Sequence, residues 1–542
     1  MTELKIDPNT IPRTYRDFLD LMVREGEFLA IDDEVDWYLE IGAILRWAAE
    51  TLSPSPIFNN VKGCPGFRAA EMGMQKSGTI GKPWARLAPF IGLPLDANVM
   101  DMQAAYIKSI ENGKVHPPKI VEKKDAPCKE NIWLGDDIDL GKIPAPLLHG
   151  GDADRVMQTA GLNICQTPDG KWTNWSINRS SMIDKNHMAG FWVPTQHNGM
   201  ILNMWKEKGE DMPIAIAFGV PPSCLVQGTS RAPDWEDEYD YASMLENRSI
   251  EMVKCEHSDL LVPATSEIVV EGKVSVTEKL MEGPFGEYAG YQFTGHVMEK
   301  PKHTVTAVTF RNNAILPISS PGVPPDSTQI AIAFFQSLHA VRRLKEAGFP
   351  IIDGLQTFES AGHWFVIRAK NNWHEITGWK HDEFMQKLGE FIWNDHIGGA
   401  FAKVIVVGED IDPSDPLAVT FAFSTRNHPE HGIFLFKGTQ MWGLGPEGWH
   451  IAEDFLDAES GGGLGLYSCI GVKETYTGHP KPGILTFHRN YPKALKEKVL
   501  ANWEKWGFRT PDPVLQKHAT ESTPWVYFNK TGEGETGKGQ NL

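Results

Sequence analysis

The strongest constraint on the fold is a change of hydrophobic period along the chain. From about Ala126 to Pro317, apolar and polar residues alternate in short runs of period two, between flanking segments of helical texture. His303 to Phe310 shows the alternation: Val305, Ala307 and Thr309 face one way, and Thr304, Thr306, Val308 and Phe310 the other. Glu267 to Thr277 has the same texture, with a turn predicted at Gly272, and Arg311-Asn312-Asn313 supplies turn residues before Ala314-Ile315-Leu316. Many strands at short spacing predict a barrel or a sandwich.

Upstream, Tyr15 to Thr51 reads as helix, short strand, helix. Phe18, Leu19, Leu21 and Met22 recur at helical spacing, Gly26 ends that helix, and Phe28-Leu29-Ala30-Ile31 follows as a strand. Asp36 precedes a second apolar run through Leu39, Ile41, Leu45 and Trp47. Pro117-Pro118 and Glu122-Lys123-Lys124-Asp125 mark the end of this α/β region. Beyond Asp326 helices return, with Ile330 to Leu344 strongly apolar. Lys403 to Gly408 then reads as a buried strand leading through Asp410, Asp412 and Asp415 to a helix through Phe423. Tyr491 to Trp506 is a predicted helix with Leu495, Val499, Leu500, Trp503 and Trp506 on one face. After Phe528 the Gly, Lys and Glu-rich tail has nothing to bury and is expected to be disordered. A chain of 542 residues exceeds what one core serves. The expected organisation is α+β and multidomain: 1–125, 126–325, 326–490, then a helix and flexible tail over 491–542.

Charge and motifs remove several classes of function. With 52 basic against 70 acidic residues, the net charge of -18 and the lack of a basic stripe disfavour nucleic acid and anionic membranes. Six scattered cysteines without a CxxC pair argue for reduced, buried thiols. Met1 to Pro12 lacks the apolar core of a signal peptide and no stretch approaches a membrane span, so a cytoplasmic location is expected. Gly461-Gly462-Gly463-Leu464-Gly465 lacks the Lys-Ser/Thr of a P-loop, and GxSxG and HExxH are absent.

The chemistry concentrates in a few stretches. Glu282-Gly283-Pro284-Phe285-Gly286-Glu287 places two acids on a stiff turn, where they can face one cavity. If they share it, one of them should be pushed toward a pKa useful for proton transfer; the plain alternative is a solvated acidic turn. Trp172-Thr173-Asn174-Trp175-Ser176-Ile177-Asn178-Arg179 offers a hard oxygen ligand and a planar cation, and equally fits a strand with buried Trp and an exposed Arg. Gln196-His197 follows Phe191-Trp192-Val193-Pro194, which places the imidazole at the end of a buried strand, and His187 falls in a turn. In Trp235 to Tyr241 the acids fit a solvated helix start, or Glu238 turns inward to a cation. If Asn174, His197 and Glu238 converge, two oxygens and one imidazole suit Mn²⁺ or Mg²⁺ better than zinc.

Taken in order, these stretches together with Glu238-Tyr239-x-Tyr241-Ala242, Pro263 to Val269, Arg311-Asn312-Asn313-Ala314 and the Lys403 strand with Thr425-Arg426 closely resemble the UbiD-type (de)carboxylases. Those enzymes use prenylated FMN. The resemblance implies an N-terminal α/β domain, a central split β-barrel that binds the flavin, and a C-terminal mixed α/β oligomerisation domain. It implies that Asn174, His197 and Glu238 hold Mn²⁺ against the cofactor phosphate, and that Trp175, Glu238 and Arg426 hold K⁺. Residues 174 to 179, including Ser176, Ile177 and Asn178, would line the cofactor with Gln196 and His197. A cofactor-contacting lysine of some relatives falls on His396. Arg179, Glu282 and Glu287 become the acid–base network, with Glu287 as proton donor.

The implied reaction is decarboxylation of an aromatic or heteroaromatic acid, such as a hydroxybenzoate, through a covalent adduct with the flavin. An sp² carbanion needs such an electron sink. By spacing, Val193, Tyr288, Thr328 and Ile332 line the substrate pocket. The implied partners are the acid and CO₂, a flavin prenyltransferase that supplies the cofactor, and further copies of the chain in a homodimer or larger oligomer. Phenylacrylic acids of the cinnamic or ferulic type are the alternative substrates. A non-catalytic flavin-binding assembly protein and a metal hydrolase built on Asn174, His197 and Glu238 are alternatives of other classes.

Overall fold

Thr14 caps the first helix, Tyr15–Arg24: its hydroxyl accepts from the Asp17 N–H while the Asp17 carboxylate accepts from the Thr14 N–H. Tyr15, Phe18, Leu19 and Met22 form the buried face, and Gly26, at φ 74°, releases the chain into the strand Phe28–Val35. The second helix, Glu40–Glu50, buries Ile41, Leu45, Ala48 and Ala49. Two residues predicted for that face behave differently. Leu39 precedes the helix in the left-handed region at φ 65°, and Trp47, two steps and about 200° round from Leu45, is 69% exposed.

The computed structural model describes residues 4–536 except 191, 195, 231, 292–296, 396–397, 399–400, 438–462, 471–474, 477–478, 481–492, 504, 507–525 and 529–533. Two compact units are present, one of Met1–His339 and one beginning at Ala340.

In the first unit Phe28–Val35, Ser55–Val61, Phe67–Glu71 and Ala314–Ile318 form a four-stranded sheet in that order. Its last strand comes from far down the chain and pairs parallel with Phe67–Glu71, so the residues between them loop out and return. A buried ion pair sits at this end: Arg86 donates to Glu27 at 2.8 Å, with side chains only 1% and 2% exposed. Ser77 and Thr79 also donate to Glu27, and Arg86 reaches the Ser53 carbonyl at 2.8 Å.

The excursion builds a nine-stranded antiparallel half-barrel. Its axis is the pair Ile268–Glu282 and Met298–Phe310, far longer than the short strands predicted. Gly272 is no turn. The register slips there by a bulge between Glu271 and Gly272, and a Cβ would press on the Thr304 carbonyl, so glycine serves close backbone approach. Ile214, Ile216, Val270, Val305, Val308 and Trp172 fill the core. His187, expected in a turn, opens the strand His187–Gly190, because Asp184 caps the preceding bend with bonds to its N–H and ring.

In the second unit Ile351–Gln356, Trp364–Ala369, Lys403–Val407, Gly463–Cys469 and Ile433–Lys437 form a five-stranded mixed sheet in that order. Its helices include His381–Asn394 and Pro416–Arg426, the latter capped by Asp415. The C-terminal helix is Lys493–Asn502 and has no fully buried side chain; on the predicted apolar face Leu495 and Leu500 are 43% and 45% exposed, while Val499 and Trp503 are half-buried. Past Phe528 the expectation of disorder fails at Gly534–Thr536, which pairs with the β-prone Val526–Phe528. Among the described residues no helix is long and apolar enough to cross a membrane.

Candidate active site

Glu282 is the last residue of the long strand Ile268–Glu282, and Gly283, at φ 94°, turns the chain so that Glu287 comes back beside it. Arg179 lies between the strands Thr173–Ser176 and Ser180–Met182 and reaches both acids. Its Nε and Nη2 donate to the two Glu282 oxygens at 2.6 and 3.1 Å, and its Nη1 donates to Glu287 Oε1 at 2.7 Å. Ser181 adds a bond to Glu282 at 3.2 Å, and the guanidinium lies over the Phe285 ring, 4.6 Å from its centroid. The turn is therefore neither a solvated loop nor a bare pair of acids. Glu282 is 2% exposed and Glu287 14%, with a cation interposed. Burial works against the Arg179 charge, but Glu287 and Glu282 outweigh it and push its pKa up. A second buried cation, Lys300, sits opposite Leu280 in the ladder; burial lowers its pKa while Glu282 opposes that shift.

The second cluster joins three elements. Glu238 opens the helix Glu238–Glu246, is 1% exposed, and accepts the Trp175 N–H at 2.7 Å. His197 begins the helix His197–Lys208 rather than ending a strand, since Trp192, Val193, Pro194 and Gln196 belong to no strand. Its Nδ1 lies 3.7 Å from Glu238 Oε1 and its Nε2 2.9 Å from Asp234 Oδ1. With Nε2–H donated to Asp234, the Nδ1 lone pair and the carboxylate face each other, which is the donor arrangement a divalent cation bridges. Asn174 is buried on the Thr173–Ser176 strand beside Trp175, and its amide donates to Ser176 Oγ at 3.3 Å. Burial raises the Glu238 pKa, opposed by His197 and the Trp175 N–H. These hard oxygen and imidazole donors fit a Mn²⁺-class ion.

Between the two clusters runs a chain of amides. Asn178 donates to Gln196 Oε1 at 3.1 Å and accepts from Asn198 at 2.6 Å, and the Ile177 N–H is held by the Gly228 carbonyl. Of the predicted pocket residues, the Thr328 and Ser319 hydroxyls lie 2.6 Å apart and the Tyr288 carbonyl accepts from Gln329. Val193, Thr328 and Ile332 are half-buried. Arg426 lies in the second unit, where it pairs with Asp410 at 2.9 Å. His396 lies outside the described residues.

Sequence reasoning missed Asp234, Asn198, Ser181, Phe285 and Lys300. Asp234 had one usable signal, since it stands four residues before Glu238 in the acid run. Phe285 stood inside the acid turn but had no role until Arg179 was placed over it, and the others carry no motif of their own.

Three models of one family match in order: the 3-octaprenyl-4-hydroxybenzoate carboxy-lyase N-terminal domain over residues 19–98, its Rift-related domain over 119–324 and its C-terminal domain over 329–466. Together they define a carboxy-lyase. The chain belongs to the UbiD family. It is 33% identical over 508 residues to ferulic acid decarboxylase 1 of Saccharomyces cerevisiae, covering 91% of this chain and 98% of the relative. It is 33% identical over 500 residues to pyrrole-2-carboxylic acid decarboxylase of Pseudomonas aeruginosa, with the same coverages of 91% and 98%. Among solved structures, the UbiD-class enzyme HmfF from Pelotomaculum thermopropionicum, evolved as a dimer and in complex with prFMN, has the same fold. The TM-score is 0.68 at 24% identity, over 86% of this chain and 96% of that one.

Proposed function

We propose that the protein removes CO₂ from an aromatic or heteroaromatic carboxylic acid with prenylated FMN, using Glu287 as the proton donor. The observation that carries this reading is the guanidinium of Arg179 shared between Glu282 and Glu287 at the mouth of a half-barrel strand. Relatives named for ferulic and pyrrole-2-carboxylic acids, and a structural neighbour holding prFMN, support it. When bound, the cofactor supplies the sink for the electron pair left as the bond to CO₂ breaks.

The chain supplies position and protons. Two bonds to Glu282 fix the Arg179 plane, so its third bond, to Glu287, can lapse and reform as Glu287 gives up and regains a proton. Phe285 under the guanidinium keeps water from that side of the network. His197 and Glu238, with Asn174, would hold Mn²⁺, with His197 oriented through Asp234. Trp175 and Glu238 would serve K⁺, and Asn178, Gln196 and Ser176 would line the flavin. The half-buried Tyr288 beside the acid, with Val193, Thr328 and Ile332, favours a hydroxylated ring such as a hydroxybenzoate. A cytoplasmic homo-oligomer, loaded by a flavin prenyltransferase, completes the reading.

Co-expression with a flavin prenyltransferase tests it. Mass spectrometry should find prenylated FMN on the purified protein, and CO₂ should be released from at least one acid in a panel of hydroxybenzoates, pyrrole-2-carboxylate and cinnamate. Plain FMN with no CO₂ release from any of them would overturn it. Release from cinnamate alone would move the substrate to the phenylacrylic class.

A further inference from the structure

The turn that carries Glu287 is tied at several points to two neighbouring loops. The Gly286 N–H donates to Asp152 Oδ1 at 2.8 Å, and the Ala153 N–H donates to the Pro284 carbonyl at 3.0 Å. Asp152 Oδ2 accepts both the backbone N–H and Nδ1 of His149, each at 3.0 Å. His149 Nε2 lies 2.8 Å from the Pro321 carbonyl. On the far side of Glu287, Gln329 Nε2 bridges the Tyr288 carbonyl at 2.7 Å and the Gly322 carbonyl at 2.8 Å. Both flanks of the acid thus hang on Pro321–Gly322. That segment is pinned in turn by Arg46, bonded to the Ser320 and Val323 carbonyls at 3.1 and 2.8 Å, and by Asp326, which accepts the Gly322 N–H at 2.9 Å.

His149 is the hinge of this arrangement, held at both ring nitrogens. Both ring nitrogens face groups that only accept: an Asp152 carboxylate with 0% side-chain exposure and a peptide carbonyl. Gly286 fits the same geometry. Its φ is not in the positive region, yet a Cβ there would lie 2.5 Å from His149 Nδ1, so the position needs glycine for space. Around the ring stand Asp152 on its own loop, Arg46 and Asp326 on the Pro321 side, and Arg179 and Glu287 beyond Phe285, whose ring centroid is 6.3 Å away.

We propose that His149 is a positioning residue: bonded between Asp152 and the Pro321 carbonyl, its ring fixes the Glu287 turn, and removing or displacing that ring loosens the turn and slows catalysis. The inference rests on Glu287 as the proton donor.

The test uses the flavin-loaded enzyme. His149→Gln should lower kcat roughly tenfold with KM and flavin content little changed. Gly286→Ala, which displaces the ring without removing it, should lower kcat by a similar factor, again with KM little changed. A kcat unchanged in either variant, or a loss that falls on KM or flavin content instead, overturns the proposal. If His149→Gln fails to fold, Gly286→Ala decides it. Turnover retained in Glu287→Gln would instead refute the proton-donor reading, and the kcat of Gly286→Ala would still report on the tie itself.

Discussion

His303 is fully buried on the long strand Met298–Phe310, and neither ring nitrogen has a partner among the described residues. Burial, with His187 nearby, pushes its pKa down to about 3. The folded protein therefore keeps this ring neutral from about pH 6.5 down to 3, while the unfolded chain takes up a proton in that window. The stability it allows is present above about pH 6.5 and falls by roughly 1.4 kcal/mol per pH unit below it. Urea titrations at pH 7.5 and pH 5 should show the wild type losing ~2 kcal/mol more than His303→Leu. Equal losses would contradict this. At the same scale, the candidate site was partly legible in the sequence. Arg179, Glu282 and Glu287 stand at strand ends or on a Gly-Pro turn, where local chemistry marks them. His149 and Asp152 acquire meaning only through pairing across more than a hundred residues of chain, as the Gly286 bond to Asp152 shows, and Lys300 only once its strand is laid against Ile268–Glu282; periodicity carries no trace of either.

At the scale of elements, the Arg86–Glu27 pair tests how the N-terminal sheet is held. Arg86→Met removes the cation and leaves Glu27 buried with two hydroxyl donors only. The loss should be about 3–5 kcal/mol in denaturant unfolding, because an unpaired buried charge costs more than the pair gains. A loss under about 1 kcal/mol would mean that the hydroxyls suffice. Elements with both an apolar stripe and a stop signal, such as Tyr15–Arg24 before Gly26, could be read directly. The half-barrel could be read as a class of fold but not in its register. A glycine inside a strand signals a turn and a bulge equally, and only the approach of Thr304 to Gly272 separates them. The helix Lys493–Asn502 was legible, but not what its stripe meets: an apolar stripe states what a face could bury and does not name the neighbour.

For the whole molecule, all six cysteines are buried and unpaired. Burial pushes the Cys128, Cys165 and Cys469 thiols up to about 12, so none of these three is a thiolate at neutral pH. The native protein should resist a thiol-specific chromogenic disulfide at pH 8, and all six should react after denaturation. Rapid labelling of the native state would show that the cores open readily. The order of motifs along the chain was the most legible feature at this scale, because a relationship spanning 91% of the residues keeps that order even where each motif alone is weak. The central claim is that Glu287, held by Arg179, moves the proton. The direct measurement is CO₂ release by Glu287→Gln, loaded with flavin and metal to the same content as the wild type. The predicted result is a fall of roughly 10²–10⁴-fold in kcat with both contents unchanged. A kcat within about threefold of the wild type would contradict the account.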